Sequence, residues 1–96
     1  MQLDPHGVEL QTFDELVDVD GLRVLELGCG DGRFTFRFGR RAASVLGIDP
    51  EEQAIETARR ETPRGLRRRL RFEAANARDF ELPAGEFDLA LFSWSL

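Results

Sequence analysis

The stretch Val24-Leu25-Glu26-Leu27-Gly28-Cys29-Gly30-Asp31-Gly32 is an apolar run broken by one acid and closed by three alternating glycines. Glycine lacks a Cβ and tolerates left-handed backbone, so such a segment can turn sharply and let a ligand lie against main chain. Leu22–Leu27 is rich enough in branched apolar residues for a buried parallel strand, and the residues after Gly32 can open a helix. Strand, glycine turn and helix form a ligand-binding unit at the carboxyl end of a sheet. The spacing narrows the ligand. A dinucleotide fingerprint asks for G-x-G-x-x-G, and Arg33 stands where its third glycine should be. The pattern here is G-x-G-x-G, with Glu26 two residues ahead of the first glycine.

Working outward, Phe34, Phe36 and Phe38 alternate as in a strand, while Phe34, Phe38 and Ala42 also share a helical face. Two parallel strands need a crossover between them, so the segment is assigned to helix. Ser44–Asp49 reads as the second strand. Pro50 suits the first position of the next helix, with Asp49 as its N-cap and Glu51 and Glu52 at its positive end. Ala54, Ile55 and Ala58 form the buried stripe of that helix, and Thr62–Gly65 ends it. Arg67–Ala74 reads as the third strand, with Leu70 and Phe72 on one face, and Leu89–Phe92 as the fourth. Ahead of all this, Val8, Phe13, Leu16 and Val17 have roughly helical spacing, which predicts a leading amphipathic helix within residues 1–20. The expected fold is α/β, a doubly wound parallel sheet in strand order 3-2-1-4.

The 96 residues fit one domain, 1–96, of a size that buries little more than about 60% of its extended surface. A net charge of −5 argues against a nucleic-acid surface spanning the domain. All 13 basic residues are arginine, which reads as a compositional bias. Arg67-Arg68-Arg69 suits a solvated strand entry that discourages edge pairing. Cys29 is the single cysteine, so neither an internal disulfide nor a multi-cysteine zinc site is expected. It has no evident base partner for nucleophilic work, and His6 is remote in sequence. No apolar stretch approaches ~20 residues and no signal peptide is evident, so a cytoplasmic, bacterial-type protein without membrane association is expected.

Four blocks in order, Glu26–Gly32, Gly47-Ile48-Asp49-Pro50, Phe72–Ala77 and Phe87–Leu91, resemble the Rossmann-like (class I) S-adenosylmethionine-dependent methyltransferases. The resemblance runs from about Leu22 to the end of the chain. It implies that Gly28, Cys29, Gly30 and Gly32 line the methionine end of S-adenosyl-L-methionine, with turn N–H groups toward its carboxylate. Glu26 would support the ammonium end, Asp49 would accept from the ribose hydroxyls, and Pro50 would lie on one adenine face. Asn76 and Ala77 would meet the adenine edge, although the family commonly has Asp where Asn76 stands. An amide oxygen can still accept there without carrying charge. Ser93, with Phe92 and Trp94, falls near the transferable methyl. The implied chemistry is in-line attack of an acceptor on the sulfonium methyl, leaving S-adenosylhomocysteine. It needs proximity and alignment above all. No metal is implied, and no catalytic base is identifiable.

The same resemblance implies a seven-stranded sheet, so the chain reads as truncated after the fourth strand. That strand would be left as an open apolar edge, suited to self-association or to a partner chain. The acceptor is not legible, and a small molecule is favoured over nucleic acid. Two other readings stay open. One is a non-catalytic cofactor-binding or interaction subunit that needs a partner for turnover. The other is an NAD(P) oxidoreductase, which Arg33 disfavours.

Overall fold

The computed structural model describes residues 9–12, 18–81 and 85–93. Five parallel strands, β1 (Glu9–Thr12), β2 (Arg23–Leu27), β3 (Ser44–Asp49), β4 (Leu70–Ala74) and β5 (Leu89–Phe92), form one sheet in the order β1-β5-β2-β3-β4. Helix α1 (Arg33–Phe38) joins β2 to β3, and α2 (Glu52–Glu61) with a 3-10 turn at Arg64–Leu66 joins β3 to β4. The expected 3-2-1-4 order is therefore present as β4-β3-β2-β5, with an additional strand outside it.

The near-continuous apolar runs of β2 and β3 follow from burial on both faces. Val24, Val45, Leu70, Phe72, Leu89 and Leu91 pack with Phe38 of α1 and with Ile55 and Ala58 of α2. Leu25, Leu27, Leu46, Ile48 and Ala90 face the other way, against Phe87 and the partly buried Ala75, Ala77 and Phe80. At the start of the central pair, Arg23 grips Asp88 with Nε and Nη2 at 3.0 Å each, and its own amide donates to the same carboxylate at 2.9 Å. That guanidinium holds the Asp88 carboxyl below its ordinary range, chiefly through the side-chain hydrogen bonds. No helix among the described residues is long and apolar enough to cross a membrane.

The helical assignment of the phenylalanine segment holds. Phe34 and Phe38 meet edge-on at 5.3 Å, one helical turn apart, and Phe36 meets Phe72 of β4 at 6.1 Å. Helix α1 stops at Gly39, where a Cβ would come within 2.8 Å of a Leu70 methyl.

Four expectations need correction. The leading helix is contradicted at Glu9–Thr12, which is strand; Val8 and residues 13–17 of that segment lie outside the described residues. The edge of β5 is consequently not open, because β1 pairs with it in parallel, Glu9 opposite Leu89 through Thr12 opposite Phe92. An unpaired row of N–H and C=O groups rewards any extended segment that reaches it, and over four residues that outweighs a weak helical periodicity. The third strand starts at Leu70, not Arg67, because residues 64–66 form a 3-10 turn, the amides of Leu66 and Arg67 donating to the carbonyls of Pro63 and Arg64. Finally, Glu51 caps α2, its carboxylate accepting from the Gln53 amide, while Asp49 serves the neighbouring turn instead.

Candidate functional site

The glycine turn leaves β2 with left-handed backbone at each of its three glycines, φ being 84° at Gly28, 57° at Gly30 and 87° at Gly32. An L-residue pays a steric penalty at such angles, which explains the alternation. Crowding adds to it at Gly32, where a Cβ would lie 2.9 Å from Phe36 Cζ and 3.2 Å from Ala58 Cβ. At Gly30 a Cβ would meet no protein atom within 4 Å, so the backbone there faces open space.

Most of the turn's donors are already engaged. The amides of Gly28 and Cys29 donate to the Ile48 carbonyl at 2.8 and 3.1 Å, and that of Gly32 to the Cys29 carbonyl at 3.1 Å. The Gly30 amide donates to Asp49 Oδ2 at 2.9 Å, and the Arg33 amide to Asp31 Oδ1 at 3.2 Å. Only Asp31 of residues 28–33 has an amide with no partner among the described residues. Of the N–H groups expected to point toward a carboxylate, those of Gly28, Cys29, Gly30, Gly32 and Arg33 are thus engaged within the protein. A turn this buried satisfies its own donors first.

Asp49, at the tip of β3, reaches sideways to the turn. Its Oδ2 takes the Gly30 amide and its Oδ1 takes the Glu51 amide, at 2.9 Å each. A carboxylate has roughly four acceptor positions, so about two remain for a ligand. The side chain therefore fixes the turn and still faces the cleft.

Glu26 lies beneath the turn and is fully buried. Its Oε1 accepts from the Thr35 hydroxyl of α1. Its Oε2 lies 2.5 Å from Ser93 Oγ, which is itself 3.2 Å from the Gly28 carbonyl. Burial pushes the carboxyl above its ordinary range, against the opposing pull of the two hydroxyl hydrogen bonds. Cys29 is buried too. Desolvation, reinforced by the charges of Glu26 and Asp49, raises its thiol well above the ordinary cysteine range, which disfavours the thiolate.

These residues surround a cleft of about 640 Å³ at the carboxyl end of the sheet. Of the residues expected at the site, Gly28, Cys29, Gly30, Asp49 and Ser93 line it. Glu26 is fully buried and outside the lining, joined to it through Ser93, and Gly32 is buried as the residue before α1. Pro50, Asn76 and Ala77 are not part of the lining. Pro50 is exposed between Asp49 and the α2 cap. Asn76 lies beyond β4, where its Oδ1 accepts from the Arg78 amide at 2.9 Å in a local turn. Ala77 packs toward the sheet face opposite the helices. Trp94 lies outside the described residues.

Asp31, Arg33 and Phe34 also line the cleft, and sequence reasoning did not single them out. Arg33 Nε lies 3.2 Å from Asp31 Oδ2, an exposed pair at the rim. Thr35 was missed as well. The available signal was one hydroxyl set among three phenylalanines at Arg33–Phe38, the only uncharged polar side chain of that segment.

Residues 24–96 match the family model described as a methyltransferase domain. The chain is 35% identical over 79 residues to magnesium-protoporphyrin O-methyltransferase of Rhodobacter capsulatus, covering 82% of this chain and 34% of that protein. It is 40% identical over 96 residues to aklanonic acid methyltransferase of Streptomyces sp. strain C5, covering 96% of this chain and 42% of that one. Among solved structures, an S-adenosylmethionine-dependent methyltransferase from Mesorhizobium loti superposes with a TM-score of 0.72 at 36% identity, covering 83% of this chain and 36% of the other. The chain thus spans well under half the length of these relatives.

Proposed function

The chain belongs to the methyltransferase-domain family, and on that footing we propose that it binds S-adenosyl-L-methionine in the cleft over Gly28–Gly32 and serves methyl transfer. The observation that carries this reading is the Asp49–Gly30 hydrogen bond, which sets a glycine turn and an acid with spare acceptor capacity against one cleft. The residues fit the compound's parts. Gly30 leaves room for a group lying on the backbone, since no protein atom stands where its Cβ would be. Asp49 has acceptor positions for a pair of ribose hydroxyls. Glu26 and the Gly28 carbonyl supply negative character below a cationic end, while Phe34 and Cys29 supply apolar wall.

The methyl donor brings its own leaving group, a sulfonium that becomes the thioether of S-adenosylhomocysteine. The chain's residues are left to bind, orient and exclude water. In this reading Pro50, Asn76 and Ala77 flank the adenine from the loops beyond β3 and β4, and Ser93 lies on the acceptor side. A small-molecule acceptor is favoured, in keeping with the protoporphyrin and aklanonic acid in the names of the two curated relatives. A cytoplasmic location in a bacterium fits the same reading.

Titration calorimetry with S-adenosylhomocysteine and, separately, NAD tests the proposal. Binding of the first alone is expected, and Asp49→Ala should weaken it at least about tenfold, the loss of one charge-assisted contact. Binding of NAD alone would overturn it.

A further inference from the structure

Ser93 stands between two acceptors with one proton to give. Its Oγ is 2.5 Å from Glu26 Oε2 and 3.2 Å from the Gly28 carbonyl oxygen. A serine hydroxyl donates once and accepts twice. If Glu26 were ionised, Ser93 could serve the carboxylate or the carbonyl, never both. If Glu26 carries a proton, the chain closes: the carboxylic acid donates to Ser93 Oγ, and Ser93 donates on to Gly28. Thr35 donates to the other carboxyl oxygen in either state.

The surroundings favour the closed count. Glu26 is fully buried. Among the described residues its hydrogen-bond partners are hydroxyls, from α1 and from the residue after β5. Among the described residues, Cys29 of the turn lies beside it, with Asp31 and Asp49 around Cys29, and none of these is a cation. The nearest guanidinium in the cleft, that of Arg33, is exposed and paired with Asp31. A buried carboxylate with no positive partner is costly, and it neutralises when it can.

We infer that Glu26 holds a proton through Ser93 until a cationic ligand end settles over Ser93 and Gly28, and that the proton then leaves to solvent. On release, the Ser93 hydroxyl turns from the Gly28 carbonyl to the new carboxylate. The carbonyl that lines the cleft is thereby freed to accept from the ligand. Ser93 is a positioning residue in this scheme, coupling the exit of β5 to the charge beneath the turn. Binding of the cationic cofactor is then proton-linked: affinity rises with pH while Glu26 is protonated in the free protein, by at most about tenfold per pH unit, and levels off above that range.

The inference rests on the S-adenosylmethionine reading only for the identity of the cation, so its test has two arms. In the first, carboxyl-carbon NMR follows glutamate titrations in the ligand-free protein, with Glu26→Gln identifying the resonance. A midpoint above the ordinary glutamate range is expected, and Ser93→Ala should raise it further by removing a donor to the ionised form. A midpoint in the ordinary range, or one that Ser93→Ala leaves unmoved, overturns the inference, since a merely structural serine would not move it. In the second, calorimetry with S-adenosylhomocysteine in two buffers of different ionisation enthalpy counts protons. Release of up to one proton per ligand, lost in Glu26→Gln, supports the coupling; binding with equal heats in both buffers refutes it. Absence of binding would count against the cofactor reading, while the NMR arm would still decide the state of Glu26.

Discussion

Thr35 and Glu26 meet in the interior, where neither can exchange its partner for water. Replacing Thr35 by valine keeps the shape and removes the donor, leaving a buried carboxyl oxygen unsatisfied. The expected cost is about 1–3 kcal/mol in urea denaturation, whereas Thr35→Ser should retain most of the stability. Equal losses in the two variants would show that packing, not the hydroxyl, matters at this position. Sequence reading reached Glu26, the glycines and Asp49, because strand ends and glycine spacing announce themselves locally. It did not reach Thr35 or the rim pair Asp31–Arg33, because which side chain looks back at Glu26 depends on the phase of a six-residue helix. It also assigned Asp49 to the cap of α2, when the carboxylate is turned toward Gly30.

Strands β2 and β3 were legible almost to the residue, since burial on both faces demands unbroken apolar runs. β4 was legible in its alternation, with Leu70 and Phe72 buried and Arg71 and Glu73 exposed at the sheet edge. β1 was not legible. Its pairing with β5 is a long-range event that four residues of sequence do not encode locally. That pairing makes a specific expectation. Proline at both Leu10 and Gln11 removes a ladder donor, since N–H groups alternate along a strand and one of the two faces β5, and should loosen β1, baring the edge of β5 to other chains. Sizing chromatography should then show more self-association than in the unaltered protein; an unchanged elution profile would mean that β1 does not guard this edge. A second expectation concerns how closely the turn sits on its neighbour strand. A Cβ at Gly47 would lie 2.9 Å from both Cβ and Sγ of Cys29 and 3.0 Å from Phe72 Cδ1. Gly47→Ala should therefore cost about 1–3 kcal/mol by overpacking and shift the turn that carries the cleft, with weakened ligand binding alongside the lower denaturation midpoint. Full stability and full affinity would argue that the turn is free to move away from β3.

At the scale of the molecule, two carboxyl groups among the described residues give stability opposite dependences on pH. Asp88 titrates below its ordinary value beside Arg23, so its contribution is present above the ordinary aspartate range and fades as pH falls through the lowered one. The pair is substantially exposed, and its share is small and screened by salt. Glu26 titrates above its ordinary value, so its contribution is complete below the ordinary glutamate range and is lost as pH rises through the raised one. Denaturation midpoints measured across pH should fall on the alkaline side, and Glu26→Gln should flatten that fall; a slope unchanged by the substitution would place its cause elsewhere. The two ends of the sheet thus divide the work. The Arg23–Asp88 clamp ties strand starts together, and the opposite end gathers Gly30, Asp49 and Ser93 around a cleft. The most direct measurement of what that cleft is for is a crystal structure of the protein grown with S-adenosylhomocysteine. The nucleoside should lie along Gly30 with both ribose hydroxyls on the Asp49 carboxylate. The compound bound elsewhere, with Asp49 making no contact to it, would contradict the account.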